Sequence, residues 1–307
     1  RGDISDALYF MSYYSYFGGF TGFLPTNIGI PSQFGTNAYL TNKGSSNYHG
    51  LLLTLDKNIS NGVQFELNYT WSHSIDEGSD AERSPTFGGL SAIINTWAPQ
   101  QLRADSDFDV RNSINTNWVY ELPVGKGKYF GGSWRGATDA VLGGWQIAGL
   151  GRWTSGLPFS IGNGGVFPTN FQLTGTVFTN GTVPKTKKKF LPDPLGSGIV
   201  PSVFPDGVST TSGVVNDFRF AFPGESGQRN NFRGDGYFDI DLSLSKIFRI
   251  NERQTLQFSA ESFNVTNSAR FDVETLNTNI QNSATFGEYG GTLTNERVME
   301  FALRYAF

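Results

Sequence analysis

The sequence predicts an all-β fold, a transmembrane antiparallel β-barrel whose strands carry one apolar and one polar face. Three observations support this: segments of alternating apolar and polar residues recur along the chain, helical periodicity is convincing nowhere, and tight connections alternate with long ones. Composition agrees. Hydrophobic residues make up 38% of the 307, too many for a disordered chain, while charged residues make up 16%, few for a surface that meets water all round. No apolar run approaches the roughly 18 residues of a membrane helix, and a mean hydropathy of -0.28 would ordinarily indicate a soluble protein. Alternation removes that contradiction, because apolar residues at every second position average away in a sliding window. The lack of cysteine excludes a disulfide scaffold, a thiolate metal site and a cysteine nucleophile. The acidic balance, with a pI near 5.3, argues against a nucleic-acid partner.

The chain begins at Arg1-Gly2-Asp3 with no secretory signal pattern, so a processed or truncated piece is expected, and the RGD tripeptide reads as chance rather than as an adhesion motif. Residues 1–47 are expected to be mostly extracellular loop. In the first strand, near 48–58, Leu51, Leu53 and Leu55 alternate with Leu52, Thr54 and Asp56. Asn61-Gly62 then signals a tight hairpin. The clearest strand, 63–75, sets Val63, Phe65, Leu67, Tyr69 and Trp71 against Gln64, Glu66, Asn68, Thr70 and Ser72. In the third, 109–122, Ile114, Thr116, Trp118 and Tyr120 oppose Asn115, Asn117 and Glu121. The fourth, 144–156, carries Trp145 and Trp153 on one face. Those two lie about 26 Å apart along the strand, or roughly 20 Å along the membrane normal at a tilt of about 40°, close to the separation of two aromatic girdles. Ile147, Gly149 and Gly151 between them make a weakly apolar stretch that this strand alone does not explain. Strands near 235–250 and 254–266 flank the tight Asn251-Glu252-Arg253 connection, and Phe238, Ile240, Leu242 and Leu244 oppose Asp239 and Asp241. The last strand, 297–307, has Met299, Phe301, Leu303, Tyr305 and Phe307 on one face.

The connections set the orientation. Residues 76–108, 157–234 and 268–296 are rich in Gly, Ser, Thr, Asn and Pro, and all fall at the end opposite the tight turns. With Phe307 at the periplasmic end, the tight turns are periplasmic and these loops extracellular, which is the asymmetry of a barrel in the outer membrane of a Gram-negative bacterium. The glycine-rich connection 123–143 is long for a periplasmic turn. Further strands at 7–17 and 171–183 would instead complete a small barrel of about 8 to 10 strands, an adhesin or passive pore. A third reading is a soluble secreted β-sandwich that binds carbohydrate through exposed aromatics.

Several short stretches occur in an order and spacing similar to a known family. They are Ser46-Asn47-Tyr48-His49-Gly50-Leu51, residues Phe65 to Asp76, Ser106-Asp107-Phe108-Asp109-Val110-Arg111, Gly144-Trp145-Gln146-Ile147, Arg152-Trp153-Thr154-Ser155-Gly156-Leu157-Pro158-Phe159, Phe263-Asn264-Val265-Thr266-Asn267 and the terminal Phe307. Together they resemble the C-terminal barrel part of TonB-dependent outer-membrane receptors, in the subgroup with an N-terminal carboxypeptidase-regulatory-like domain. The resemblance implies a barrel of about 22 strands with a plug, which takes up large or scarce nutrients with energy delivered by TonB. This chain would supply about 7 to 10 of those strands and neither plug nor TonB box, so TonB would be reached through the missing N-terminal plug. The expected partners are outer-membrane lipid and lipopolysaccharide, and the barrel assembly machinery through the strand ending at Phe307.

The polar faces offer Gln64, Glu66, Asn68, Glu121, Arg152, Asp239, Asp241, Glu261, Glu300 and Arg304 as lumen-facing candidates, although a wide barrel is polar inside in any case. Tyr69, Trp71, Trp118, Tyr120, Trp145, Trp153, Tyr305 and Phe307 are the expected membrane-girdle aromatics. Asp105, Asp107 and Asp109, and less regularly Asp235, Asp239 and Asp241, suggest calcium at a loop base. The calcium-loop pattern is absent, so no metal is expected. Ser72-His73-Ser74 is not read as a hydrolytic pair, because neighbouring strand residues point to opposite faces. Lys185, Lys187, Lys188 and Lys189 form a basic run expected to be solvated. No cofactor and no catalytic residue are expected; the chain reads as a transporter and not an enzyme.

Overall fold

Each alternating segment becomes a long strand. The computed structural model describes residues 44–79, 99–162, 176–181, 183–193, 195–196, 198–205, 213–219 and 228–307. Its seven long strands are β1 (Ser46–Ser60), β2 (Val63–Asp76), β3 (Asn112–Glu121), β4 (Trp145–Thr154), β5 (Phe238–Arg249), β6 (Thr255–Phe263) and β7 (Val298–Ala306). They form one antiparallel sheet in sequence order, and Ala104–Asp105 adds a short pairing to β2. Residues 1–43, with the expected N-terminal loop and the candidate strand at 7–17, lie outside the described residues. Of the candidate at 171–183, residues 171–175 and 182 lie outside them too, and within it Phe178–Thr179 forms a two-residue strand.

Local chemistry sets the ends of these strands. Asn61 and Gly62 both take positive φ, 53° and 77°, the pair of left-handed residues that a two-residue hairpin turn needs. Asp109 donates its N–H to the Ser106 carbonyl in a turn, so β3 starts at Asn112 rather than 109. Asn264 and Asn267 are left-handed at φ 47° and 48°, which stops β6 at Phe263 rather than 266. Asn251 Oδ1 accepts the N–H groups of Arg253 and Gln254 and closes the turn into β6. Helix is scarce but present: α1 (Ala137–Leu142) lies in the connection between β3 and β4.

The register explains the weak apolar stretch of β4. Trp118 on β3 sits directly opposite Gly149, and a Cβ on that glycine would run into the indole ring. A Cβ on Gly151 would approach the Thr116 methyl to 2.9 Å and the Ile240 side chain to 4.0 Å. Neighbouring strands thus supply the apolar cover that β4 lacks, which is a use of strand glycine that a single strand cannot reveal.

The sheet is open: among the described residues, the outer edges of β1 and β7 carry no strand partner. Nor, among the described residues, does a second layer cover its apolar face. Phe65, Leu67, Trp118 and Ile240 are only half-buried, and Phe301 and Leu303 are 66% and 68% exposed. Such exposure is not that of a soluble sandwich, whose inner face would be dry. The hydrophobic core lies in the long connections, where Phe159, Ile161, Val177, Val203, Phe204, Phe218, Phe232, Phe271, Phe286 and Tyr289 pack together. Phe204 stacks on Phe286 with centroids 5.6 Å apart, and Phe218 and Phe232 meet edge to face at 5.7 Å. The described parts of the connections 157–234 and 268–296 therefore form a folded cap at the end of the sheet away from the tight turns.

Candidate functional site

All ten polar candidates fall on one face of the sheet, as the pairing register shows. Asn68 aligns through Asn115 and Arg152 with Asp239, and Glu66 through Asn117 and Leu150 with Asp241. Gln64 aligns through Val119, Ala148 and Ser243 with Glu261 and Glu300. The structure brings Asn68, Arg152, Asp239 and Asp241 together in a cleft of about 340 Å³ with Asn115, Asn117 and Tyr237. Within it the Arg152 guanidinium lies 5.2 Å from the centre of the Tyr237 ring, whose hydroxyl donates to Asp239 Oδ2 at 3.2 Å. Glu66 accepts from Asn68 Nδ2 at 2.7 Å and from Asn117 Nδ2 at 3.2 Å, so amide groups hold the carboxylate at the cleft's edge. Gln64, Glu121, Glu261, Glu300 and Arg304 do not join it; Glu121 pairs with Lys128 at 3.1 Å, and Glu261 faces Glu300 across β6 and β7.

The aromatic candidates share the other face. Tyr69, Trp71 and Trp153 stand toward the cap, Tyr120, Trp145 and Tyr305 toward the tight turns, and Trp118 midway between them along the strands. Tyr69 donates its hydroxyl to Asn112 Oδ1 at 2.7 Å, and Tyr305 stacks on Phe307 at 5.9 Å.

The acidic triplet that resembled a calcium site is occupied by arginines. Arg111 Nε donates to Asp109 Oδ2 at 3.0 Å and its NH2 to Asp105 at 3.1 Å, while Arg233 bridges the same two carboxylates. Arg229, whose side chain is 1% exposed, donates to Asp76 Oδ1 at 2.6 Å and lies 3.3 Å from Asp107 Oδ1. His73, Asp105 and Asp109 do bring ligand atoms within 4.8 Å of one another, but two guanidiniums already neutralise those carboxylates, and a cation there would meet like charge. Burial alone would raise the Asp109 carboxyl, yet the Ser74 N–H and the Arg233 and Arg111 guanidiniums outweigh it and hold the group below the usual carboxylate range. These contacts tie the top of β2 to the 99–111 and 228–235 connections. Sequence reasoning found the aspartates and missed Arg229 and Arg233, which sit more than a hundred residues away.

Ser72 and Ser74 are spent on structure: the Ser72 hydroxyl donates to the Val110 carbonyl, and Ser74 Oγ meets Ser106 Oγ at 2.8 Å. The basic run is not simply solvated. Lys188 pairs with Asp235 at 2.8 Å and lies over the Phe271 ring, and Lys189 donates to the Pro205 carbonyl.

An antiparallel sheet with one exposed apolar face, an aromatic-bearing rim and a polar inner face is the wall of a membrane-spanning barrel. The family model described as Outer membrane beta barrel domain matches residues 19–300, and the chain belongs to that family. Its place is accordingly the outer membrane of a Gram-negative bacterium. No curated protein and no solved structure matches the chain.

Proposed function

We propose that this chain works in transport rather than catalysis, as the C-terminal barrel part of a TonB-dependent outer-membrane receptor for a large or scarce nutrient. The observation that carries this reading is the cleft on the polar face, where amide, carboxylate, guanidinium and phenol groups converge beneath a folded cap. In a closed barrel that cleft lines the lumen on the path of a solute, and the opposite face meets lipid. Two features add support: the ordered run of receptor-like stretches, and the described parts of the connections 157–234 and 268–296, whose packed core suits a ligand-facing cap better than passive loops. Lipopolysaccharide would meet the rim of the cap, the barrel assembly machinery would engage the strand ending at Phe307, and TonB would act through a plug encoded upstream.

The test is retention of the periplasmic domain of TonB by the product of the whole reading frame in outer membranes. Co-purification is expected. A product that assembles as a heat-modifiable barrel and does not hold TonB overturns the receptor reading. Recovery of residues 1–307 alone as a heat-modifiable monomer would favour the small self-contained barrel.

A further inference from the structure

The connection between β3 and β4 is the segment at the tight-turn end that the transport reading leaves without a role. It is built rather than loose. The Phe130 N–H donates to the Pro123 carbonyl at 2.9 Å, the Gly125 N–H to the Phe130 carbonyl at 2.8 Å, and the Lys126 N–H to Asp139 Oδ1 at 2.5 Å. Gly125, Gly127, Gly131, Gly136 and Gly144 take positive φ, so the glycine richness serves a defined path.

That path is clamped to the sheet on its apolar side. Lys246 shares the face of Leu244 and Trp145, yet it is only 4% exposed, because its ammonium donates to the carbonyls of Val141 and Gly143 and lies 5.4 Å from the centre of the Trp145 ring. The Trp145 indole N–H donates to the same Val141 carbonyl at 3.0 Å. These contacts hold α1 against the lower rim of the apolar face. What the segment then presents outward is amphipathic. Tyr129 is 86% exposed, and Phe130, Val141 and Leu142 are each at least half exposed. Lys126, Lys128 and Arg135 stand among them. Lys128 pairs with Glu121, whereas the side chains of Lys126 and Arg135 have no acidic partner among the described residues.

We propose that this connection is an interfacial foot that rests on the phospholipid surface at the tight-turn end of the barrel. Tyr129, Phe130, Val141 and Leu142 enter the boundary between headgroups and acyl chains, and Lys126 and Arg135 meet the phosphates of anionic headgroups. Continuity with the apolar face and complementarity of charge select lipid as the occupant. Apolar side chains rimmed by Lys and Arg are the pattern of segments that lie in the interface plane, and each cation gains from an anionic surface. The proposal rests on the reading that the apolar face of the sheet meets lipid.

The chain has no cysteine, so single labels can be placed cleanly. Fluorophores attached through Tyr129→Cys, Val141→Cys, Leu303→Cys or Leu195→Cys are read on the full outer-membrane protein, reconstituted in phosphatidylcholine vesicles with or without phosphatidylglycerol. Lipids carry a spin label at a shallow or a deep acyl position. Expected are quenching at 129 and 141 by the shallow label, at 303 by either label, and none at 195 in the cap. Omission of phosphatidylglycerol, or the pair Lys126→Gln and Arg135→Gln, is expected to reduce quenching at 129 and 141 and leave 303 unchanged. Quenching at 303 without any at 129 and 141 overturns the foot, since that segment then faces water or protein. Quenching indifferent to lipid charge overturns the role of anionic headgroups. Loss of quenching at 303 as well overturns the lipid-facing reading beneath it.

Discussion

At the scale of single residues, Asp109 shows how the cap is held. Its carboxylate is 1% exposed and accepts from the Ser74 N–H at 2.6 Å, from Arg111 and from Arg233. An aspartate whose pKa is depressed by folding contributes stability that is complete above its unfolded value, about 3.9, and is lost as pH falls through the folded value. The junction between cap and β2 is therefore expected to be insensitive to pH from neutrality down to about 4 and to loosen below that. Hydrogen exchange at the Ser74 amide, corrected for its intrinsic rate, should show protection falling in that acid window, and Asp109→Asn should abolish the step. Unchanged protection in strong acid would show that the carboxylate does not hold the junction. The aspartates were legible in the sequence as an alternating acidic triplet, but the sign of their partners was not. Spacing reports which residues share a face of one strand, whereas Arg229 and Arg233 arrive from a connection that closes over the sheet much later in the chain.

At the scale of elements, the strands were legible and the cap was not. Val63 to Trp71 reports its own conformation and both of its faces, because a period of two residues is written into a strand whatever surrounds it. Phe159, Phe204, Phe218, Phe232 and Phe286 lie in segments without a period, flanked by Gly, Ser and Pro, so composition alone described loops. Their burial depends on contacts between segments far apart. Phe204 is fully buried and touches Phe218, Phe232 and Phe286. Phe204→Ala is expected to destabilise the cap by about 3 to 5 kcal/mol through lost burial and the cavity left behind. Limited proteolysis should then cut within 183–205 at protease levels that leave the original protein intact, while the heat-modifiable mobility of the barrel persists. Loss of both together would mean that cap and sheet fold as one cooperative unit.

At the scale of the whole molecule, strand direction limits how the barrel can close. β1 runs from Ser46 at the cap end to Ser60 at the tight turns, and β7 runs the same way from Val298 to Ala306, because seven antiparallel strands in sequence order begin and end alike. A seam between β1 and β7 would be parallel, in one chain or between two copies placed head to tail. Membrane barrels of this kind are antiparallel throughout with an even strand count, since closure must pair every backbone group in hydrocarbon. An odd number of further strands must therefore stand between the two free edges, one for a barrel of about 8 and fifteen for one of about 22. With no native cysteine, the geometry is open to cross-linking. Phe258→Cys with Leu303→Cys, directly opposite across β6 and β7, is expected to oxidise to a disulfide in assembled outer-membrane protein. Leu53→Cys with Leu303→Cys, one on each free edge, is expected to give none, within a chain or between chains. A disulfide from that second pair would place β1 against β7 and show closure without any intervening strand, which a fully antiparallel wall forbids.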